Sequence, residues 1–312
     1  MTNGAPPTEM SATASAAPLA AVWRLIARLP VHAALLGIIA IWSIPTAALL
    51  ISSFRDPVDI ASSGWWTTLG GLDRLTFDNY EQVLRRRGMG EAFVNSLIIT
   101  IPSTILVIVV AGAAAYAFAW MNFPLRNTLF LVVVAMLVVP LQMTLIPLLR
   151  LYTHIGIDAE VPIIGGRLFG TNSYPGLWLA HAAFGLPFAI FLLRNFFGAL
   201  PRDLFESAYL DGASDITVFR RIVLPLSMPA IASLAIFQFL WTWNDLLIAL
   251  VFLGDPSMFP MTVRIQGLVS SFGTNYQVLT AAAFVSMALP LAVFFALQRY
   301  FVQGVLAGAV KG

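Results

Sequence analysis

The chain has 312 residues, of which 59% are hydrophobic and only 10% charged, with a formal net charge of +2. Soluble domains carry about 25% charged residues, so the bulk of this chain cannot face water and must face lipid. The small net charge gives no footprint for nucleic acid, the lack of cysteine excludes disulfides and thiol chemistry, and His32, His154 and His181 lack metal-ligand spacing.

Residues 1–28 begin with a tail rich in Ala, Ser, Thr and Pro, a composition that cannot bury enough surface to fold. Arg24 and Arg28 follow this tail and precede the first apolar run, the reverse of a secretory signal, so an uncleaved cytoplasmic tail is expected. A bilayer core of about 30 Å needs about 20 helical residues. Six stretches qualify, predicting an all-α membrane protein with six transmembrane helices: Val31–Phe54, Phe93–Trp120, Thr128–Leu149, Gly176–Phe197, Pro229–Leu253 and Val278–Phe301. The first forms a unit over residues 29–54, and the other five make a core over 93–301. Pro140 and Pro147 are expected to interrupt the third stretch, and Gly185 and Pro187 the fourth. Such breaks are tolerated where neighbouring helices or an internal cavity satisfy the freed backbone. Ala111–Ala119 offers a surface of small residues, which suits tight packing inside a bundle.

Six spans put both termini on one side. With the termini inside, the inner segments hold Arg24, Arg28, Arg126, Arg194, Arg202, Arg220, Arg221, Arg299 and Lys311, against Arg150, Arg167 and Arg264 outside the first loop. Basic residues in short loops favour the cytoplasm, and the long first loop, residues 55–92, is set aside if it folds as a small domain. Within it, DRLTFDNYEQVLRRRG reads as an amphipathic helix ending before Gly88 and lying on the membrane surface. The Gly-rich loop at 150–175 follows no strand, which argues against a phosphate cradle.

No GxxxxGK[ST], GxSxG or HExxH motif occurs, so no catalysis of the chain's own is expected. Asp245 is the one acidic residue deep in a predicted span, which weakens an ion-coupled mechanism.

Between the fourth and fifth spans lies a polar island, residues 201–228, containing ESAYLDGASDITVFRRIVLP (Glu206–Pro225). Pro201 suits a first helical turn, and Asp203 and Glu206 favour the positive end of a helix dipole. Leu204, Phe205, Ala208 and Tyr209 form an apolar face. Asp211-Gly212-Ala213-Ser214 breaks the helix, with Gly212 free to take the left-handed conformation. Ser214 or Asp215 can cap a second helix running through Ile222, stopped by Pro225 and Pro229. On the residues alone, a partner-docking helix–turn–helix and an interfacial loop without a partner stay equally open.

The island resembles the EAA loop of ATP-binding-cassette (ABC) importer permeases: Glu206, Ala208, Gly212, Ile222, Leu224 and Pro225 fall at that motif's spacing, with Ser207 in place of its central Ala. From Asn95-Ser96 to the last residue the chain is similar to the G-type subunit of maltose-like carbohydrate importers, through LPFAIFLLRNFF (Leu186–Phe197), WNDLL (Trp243–Leu247) and QRYFVQGVLAGAVKG (Gln298–Gly312). The resemblance implies a type I importer bundle in a bacterial inner membrane, with an F-type second permease subunit, two ATPase subunits that bind ATP and Mg, and an extracytoplasmic sugar-binding protein. It also implies ATPase coupling through Glu206, Ser207, Ala208, Asp211, Gly212, Ala213, Ile222, Leu224 and Pro225, and a loop carrying Phe272, Gly273, Asn275 and Tyr276 that reaches the binding protein. By the same resemblance the tail 302–312 enters the ATPase dimer interface.

Gln142, Gln238, Trp243, Asn244 and Asp245 are candidates for the translocation path, since polar groups in spans face a cavity or the bundle interior. An interhelical hydrogen bond that only fixes packing is the alternative, preferred for Asp245. A non-sugar solute, or an ion-coupled transporter, is the alternative function.

Overall fold

The computed structural model describes residues 17–71, 75–155, 157–160, 167–269 and 276–309. α1 (Ala17–Ser53) runs through Pro30 and Pro45 and leans on the chain's last helix. None of its most apolar stretch is buried within this chain, so Leu36, Ile41 and Trp42 point outward, as suits a face covered by lipid or by another apolar helix.

The first loop folds rather than lying flat. Asp56 caps α2 (Pro57–Ser62), and a 3-10 turn spans Trp65–Gly70. The expected amphipathic helix is reduced to α3 (Asp78–Glu81) and a π turn over Gln82–Arg86. Two side chains explain why. Arg55 is buried and donates through Nη2 to the carbonyls of Asp59 and Ser63, and Asn79 donates through Nδ2 to the carbonyls of Ser53 and Arg55. Val83 is fully buried, so this segment is sewn onto the ends of α1 and the last helix instead of the membrane surface.

α4 (Met89–Trp120) is the central helix. Its buried residues recur every three or four positions, from Met89 through Ile99, Val107 and Ala111 to Ala115, and this stripe packs against the helices described next. Ala111 and Ala115 are fully buried, the close approach that small residues permit.

α5 (Arg126–Met136) and α6 (Leu141–Ile155) meet at 106°. Pro140 has no N–H and pushes the preceding residue out of helical conformation, so the break falls just before it. Pro147 sits inside α6 and does not interrupt it. The following loop carries a two-stranded antiparallel hairpin, β1 (Ile157–Glu160) and β2 (Arg167–Phe169), in a chain otherwise helical among the described residues.

α7 (Tyr174–Phe197) starts at a Ser173 cap and, against expectation, passes unbroken through Gly185 and Pro187. α8 (Arg202–Leu210) follows, and then one helical run made of α9 (Asp215–Val218), a π turn over Phe219–Val223 and α10 (Leu224–Leu226). The run extends beyond Ile222, and Pro225 lies inside α10, directly after the π turn. It meets α11 (Met228–Trp243) at a 76° bend. The predicted fifth span is not continuous: α11 stops at Trp243, and α12 (Leu247–Phe252) starts after a break. α13 (Met261–Val269) and α14 (Tyr276–Ala309, with Pro290 inside) complete the chain.

Four helices are long and apolar enough to cross a bilayer, and the number reaches six if the α5–α6 pair and the pair of Asp215–Leu226 with α11 each count as one span. α4, α7 and α11 form the packed centre, with α14 closing the side toward α1.

Candidate functional site

At one end of the bundle α8 and the run from Asp215 to Leu226 make a helix–turn–helix. The turn is closed by the backbone: Gly212 takes φ +78°, its N–H donates to the Tyr209 carbonyl, and the Ala213 N–H reaches back to the Ala208 carbonyl at 3.0 Å. That five-residue reach is the helix-ending bond that a left-handed glycine permits. Ser214 Oγ then accepts from the Thr217 N–H and starts the next helix.

Phe205 faces the bundle and is buried, with its ring stacked on Trp120 at 3.5 Å between centroids and 16° between planes. Trp120 is fixed in turn by its Nε1, which donates to the Phe197 carbonyl at 3.0 Å. Tyr209 O–H donates to Asp215 Oδ1 at 2.7 Å across the turn, and Tyr116 of α4 donates to the same oxygen at 3.3 Å. Partial burial, with the Asp215 contact adding to it, holds the Tyr209 phenol above its ordinary range, so it stays a donor at neutral pH.

The apolar face read from the sequence is therefore divided. Phe205 serves the fold, whereas Leu204 and Tyr209 are half exposed. Glu206, Ser207, Asp211, Gly212 and Pro225 are exposed, and Ala208, Ala213, Ile222 and Leu224 sit at the boundary. Two bulky apolar side chains missed in the sequence stand out at the tip: Leu210 is 89% exposed and Ile216 70%. Their signal was available, since both flank the glycine turn.

The candidate path residues separate. Gln142 and Asn244 are exposed. Gln238 is buried between helices, donating through Nε2 to Thr242 Oγ1 at 3.2 Å. Trp243 is buried, and its indole donates to the Ser286 carbonyl. Asp245 accepts from the N–H groups of Ile248 and Ala249, capping α12, and its own carbonyl takes the Thr262 hydroxyl at 2.6 Å. His181 of α7 comes within 4.0 Å of the Asp245 carboxylate, a neighbour that spacing could not reveal. Ser96, Thr100, His181, Thr242 and Asp245 border a cavity of about 10 Å³, room for one water and far too small for a sugar ring. Of the last candidate loop, Phe272, Gly273 and Asn275 lie outside the described residues, and Tyr276 opens α14 half exposed.

Residues 108–307 match the family described as "Binding-protein-dependent transport system inner membrane component". The chain belongs to this family. It is 52% identical over 288 residues to "Osmoprotective compounds uptake permease protein GgtD" of Synechocystis sp., covering 91% of this chain and 92% of that one. It is 41% identical to "Alpha-glucoside transport system permease protein AglG" of Rhizobium meliloti, covering 90% and 97%. Among solved structures it resembles a chain of a bacterial ABC transporter for import of the polysaccharide alginate, with TM-score 0.68 and 19% identity over 89% of this chain and 97% of that one. The type I importer bundle expected from the sequence is thereby established, and membership in a binding-protein-dependent family sets aside the ion-coupled alternative.

Proposed function

We propose that this chain forms half of the transmembrane path of an ABC importer for a sugar, an α-glucoside or short oligosaccharide. A separate ATPase binds ATP and Mg and docks on the Arg202–Leu226 helix–turn–helix. The second permease subunit completes the path and an extracytoplasmic protein delivers the sugar. Both termini lie in the cytoplasm, as the charge distribution favours.

The carrying observation is the helix–turn–helix itself: buried Phe205 fixes it to the bundle while Leu210 and Ile216 project from its tip. Bulky apolar groups on an aqueous-side projection, beside exposed Glu206, Arg220 and Arg221, suit a cleft on a soluble partner. Glu206, Ser207 and Asp211 would meet that cleft, Gly212 and Ala213 would shape the turn, and Ala208, Ile222, Leu224 and Pro225 would carry it. Gln142 and Asn244, the latter donating to the Leu240 carbonyl, remain the exposed path candidates. The names of relatives at 41%, 31% and 30% identity, for α-glucoside, glucose and arabinooligosaccharide permeases, support a sugar.

The 52% relative, named for osmoprotective compounds, supports a second cargo class. Both are tested by reconstituting the chain with the second permease, ATPase and binding protein in proteoliposomes, with ATP inside and the binding protein outside. ATP-dependent accumulation of labelled sucrose or maltose is expected. Accumulation of labelled glycine betaine instead would replace the sugar reading, and uptake without ATP or the ATPase would overturn the whole assignment.

A further inference from the structure

We propose that α4 is the transmission rod of this permease: it takes up the motion of the docking helix–turn–helix at Tyr116 and Trp120 and delivers it to the segment 254–261 at the opposite end through Asn95 and Ser96. The inference rests on the docking function proposed above.

At one end three contacts tie α4 to the dock. Trp120 stacks on Phe205, Tyr116 donates to Asp215, and the Tyr116 ring packs on Phe219 at 5.2 Å. These reach both arms of the helix–turn–helix, so neither arm can swing without α4. At the other end Asn95 Nδ2 donates to the carbonyls of Ser257 at 2.7 Å and Phe259 at 3.2 Å, while its Oδ1 accepts from Tyr174 O–H at 2.8 Å. At the next residue, Ser96 Oγ accepts from the Met261 N–H at 2.9 Å. Asn95 and Ser96 are both buried; the Ser96–Met261 bond is shielded from water, and the Asn95 bonds are partly so. The twenty-one residue steps from Asn95 to Tyr116 span about 30 Å at 1.5 Å each, the thickness of a bilayer core.

A rod must be stiff, and Pro102 is its weak point. Proline removes the N–H that the carbonyl four residues earlier would accept, here that of Ile98. Trp178 of α7 fills the gap, its Nε1 donating to the Ile98 carbonyl at 2.8 Å. The break is splinted from outside, and α4 with α7 moves as one body.

The natural chain has no cysteine, so a single reporter, Ser257→Cys on the exposed far segment, can be read with a membrane-impermeant maleimide in the complete importer. In the parent, ATP with vanadate is expected to change the labelling rate several-fold. Asn95→Leu and Trp120→Leu should each abolish that change while the ATPase still co-purifies, and Trp120→Phe, which keeps a stacking ring, should restore it. A full nucleotide response in Asn95→Leu overturns the rod, whatever Trp120→Leu does, because Asn95 lies remote from the dock. Should Trp120→Leu fail to assemble, Asn95→Leu decides alone. If the ATPase does not co-purify with the parent, the docking function fails and the rod with it.

Discussion

Gln238 of α11 lies across Gly185 of α7: a Cβ at position 185 would fall 2.5 Å from Gln238 Oε1, closer than side-chain carbons come. The glycine is there for approach, not for a break, and α7 is continuous through it. Gly185→Ala gains up to about 1 kcal/mol of helix propensity, but overpacking costs typically 1–3 kcal/mol, so net loss is expected. Displacing the Gln238 amide also breaks its bond to Thr242. In a Gln238→Ala background the clash vanishes and Gly185→Ala should become neutral or stabilising. Thermal unfolding of the four variants in detergent measures the coupling, and additive effects would refute the contact.

Gly212 presents the opposite case. Nothing lies within 4 Å of its would-be Cβ, so φ alone demands glycine. Gly212→Ala should cost roughly 1–2 kcal/mol, the left-handed penalty for an L-residue, and leave transport reduced but present. Gly212→Pro cannot reach φ +78° and loses the N–H that donates to the Tyr209 carbonyl. It should abolish uptake and ATPase coupling while membrane insertion survives. Parent-level uptake by Gly212→Pro would remove the turn from the mechanism.

What is legible in the sequence follows from which forces are local. Apolar length marked six membrane segments, and the Asp211–Ser214 turn was legible because glycine and a capping serine declare their backbone needs. The break at Asn244–Leu246 was not, because apolar residues continue on both sides and neither proline nor glycine marks it; a carboxylate capping α12 makes it. Periodicity found an apolar face on α8 but could not tell that Phe205 belongs to Trp120, eighty-five positions earlier. His181 beside Asp245, and Asn95 beneath Ser257, are likewise products of packing between distant helices. A resemblance supplied the docking partner, which no residue pattern names.

Asp245 separates a capping role from a charge role. Asparagine keeps an acceptor for the α12 amides, whereas alanine removes the cap at a cost of about 0.5–2 kcal/mol. Asp245→Asn is expected to transport near the parent level, with Asp245→Ala less heat-stable and slower. Loss of uptake by Asp245→Asn in a stably folded complex would mean that the negative charge itself is used, returning this residue to the path.

Tyr209 gives the dock an alkaline limit. Its phenol is held above the ordinary tyrosine value of 10.0 by partial burial and the Asp215 contact. A group with a raised folded value contributes stability that is intact below pH 10.0 and lost as pH climbs toward the folded value. The turn should therefore become more sensitive to a soluble protease above that pH, and Tyr209→Phe should be uniformly more sensitive with no added step there. A matching alkaline step in Tyr209→Phe would place the titration elsewhere.

Leu210 and Ile216 decide whether the projecting tip is a dock or merely a connector. With 89% and 70% of their surfaces exposed, neither supports the fold of this chain, and aspartate at either position should leave expression and melting unchanged. If they seat in the ATPase, each substitution removes a central apolar anchor, a loss of about 2 kcal/mol or more that corresponds to roughly thirtyfold weaker association. Titrating the purified ATPase against nanodisc-embedded permease measures it directly. Glu206→Gln in the same assay separates charge from packing: at an exposed site its effect should stay within about 1 kcal/mol, and a loss larger than that of Leu210→Asp would make the docking electrostatic rather than apolar.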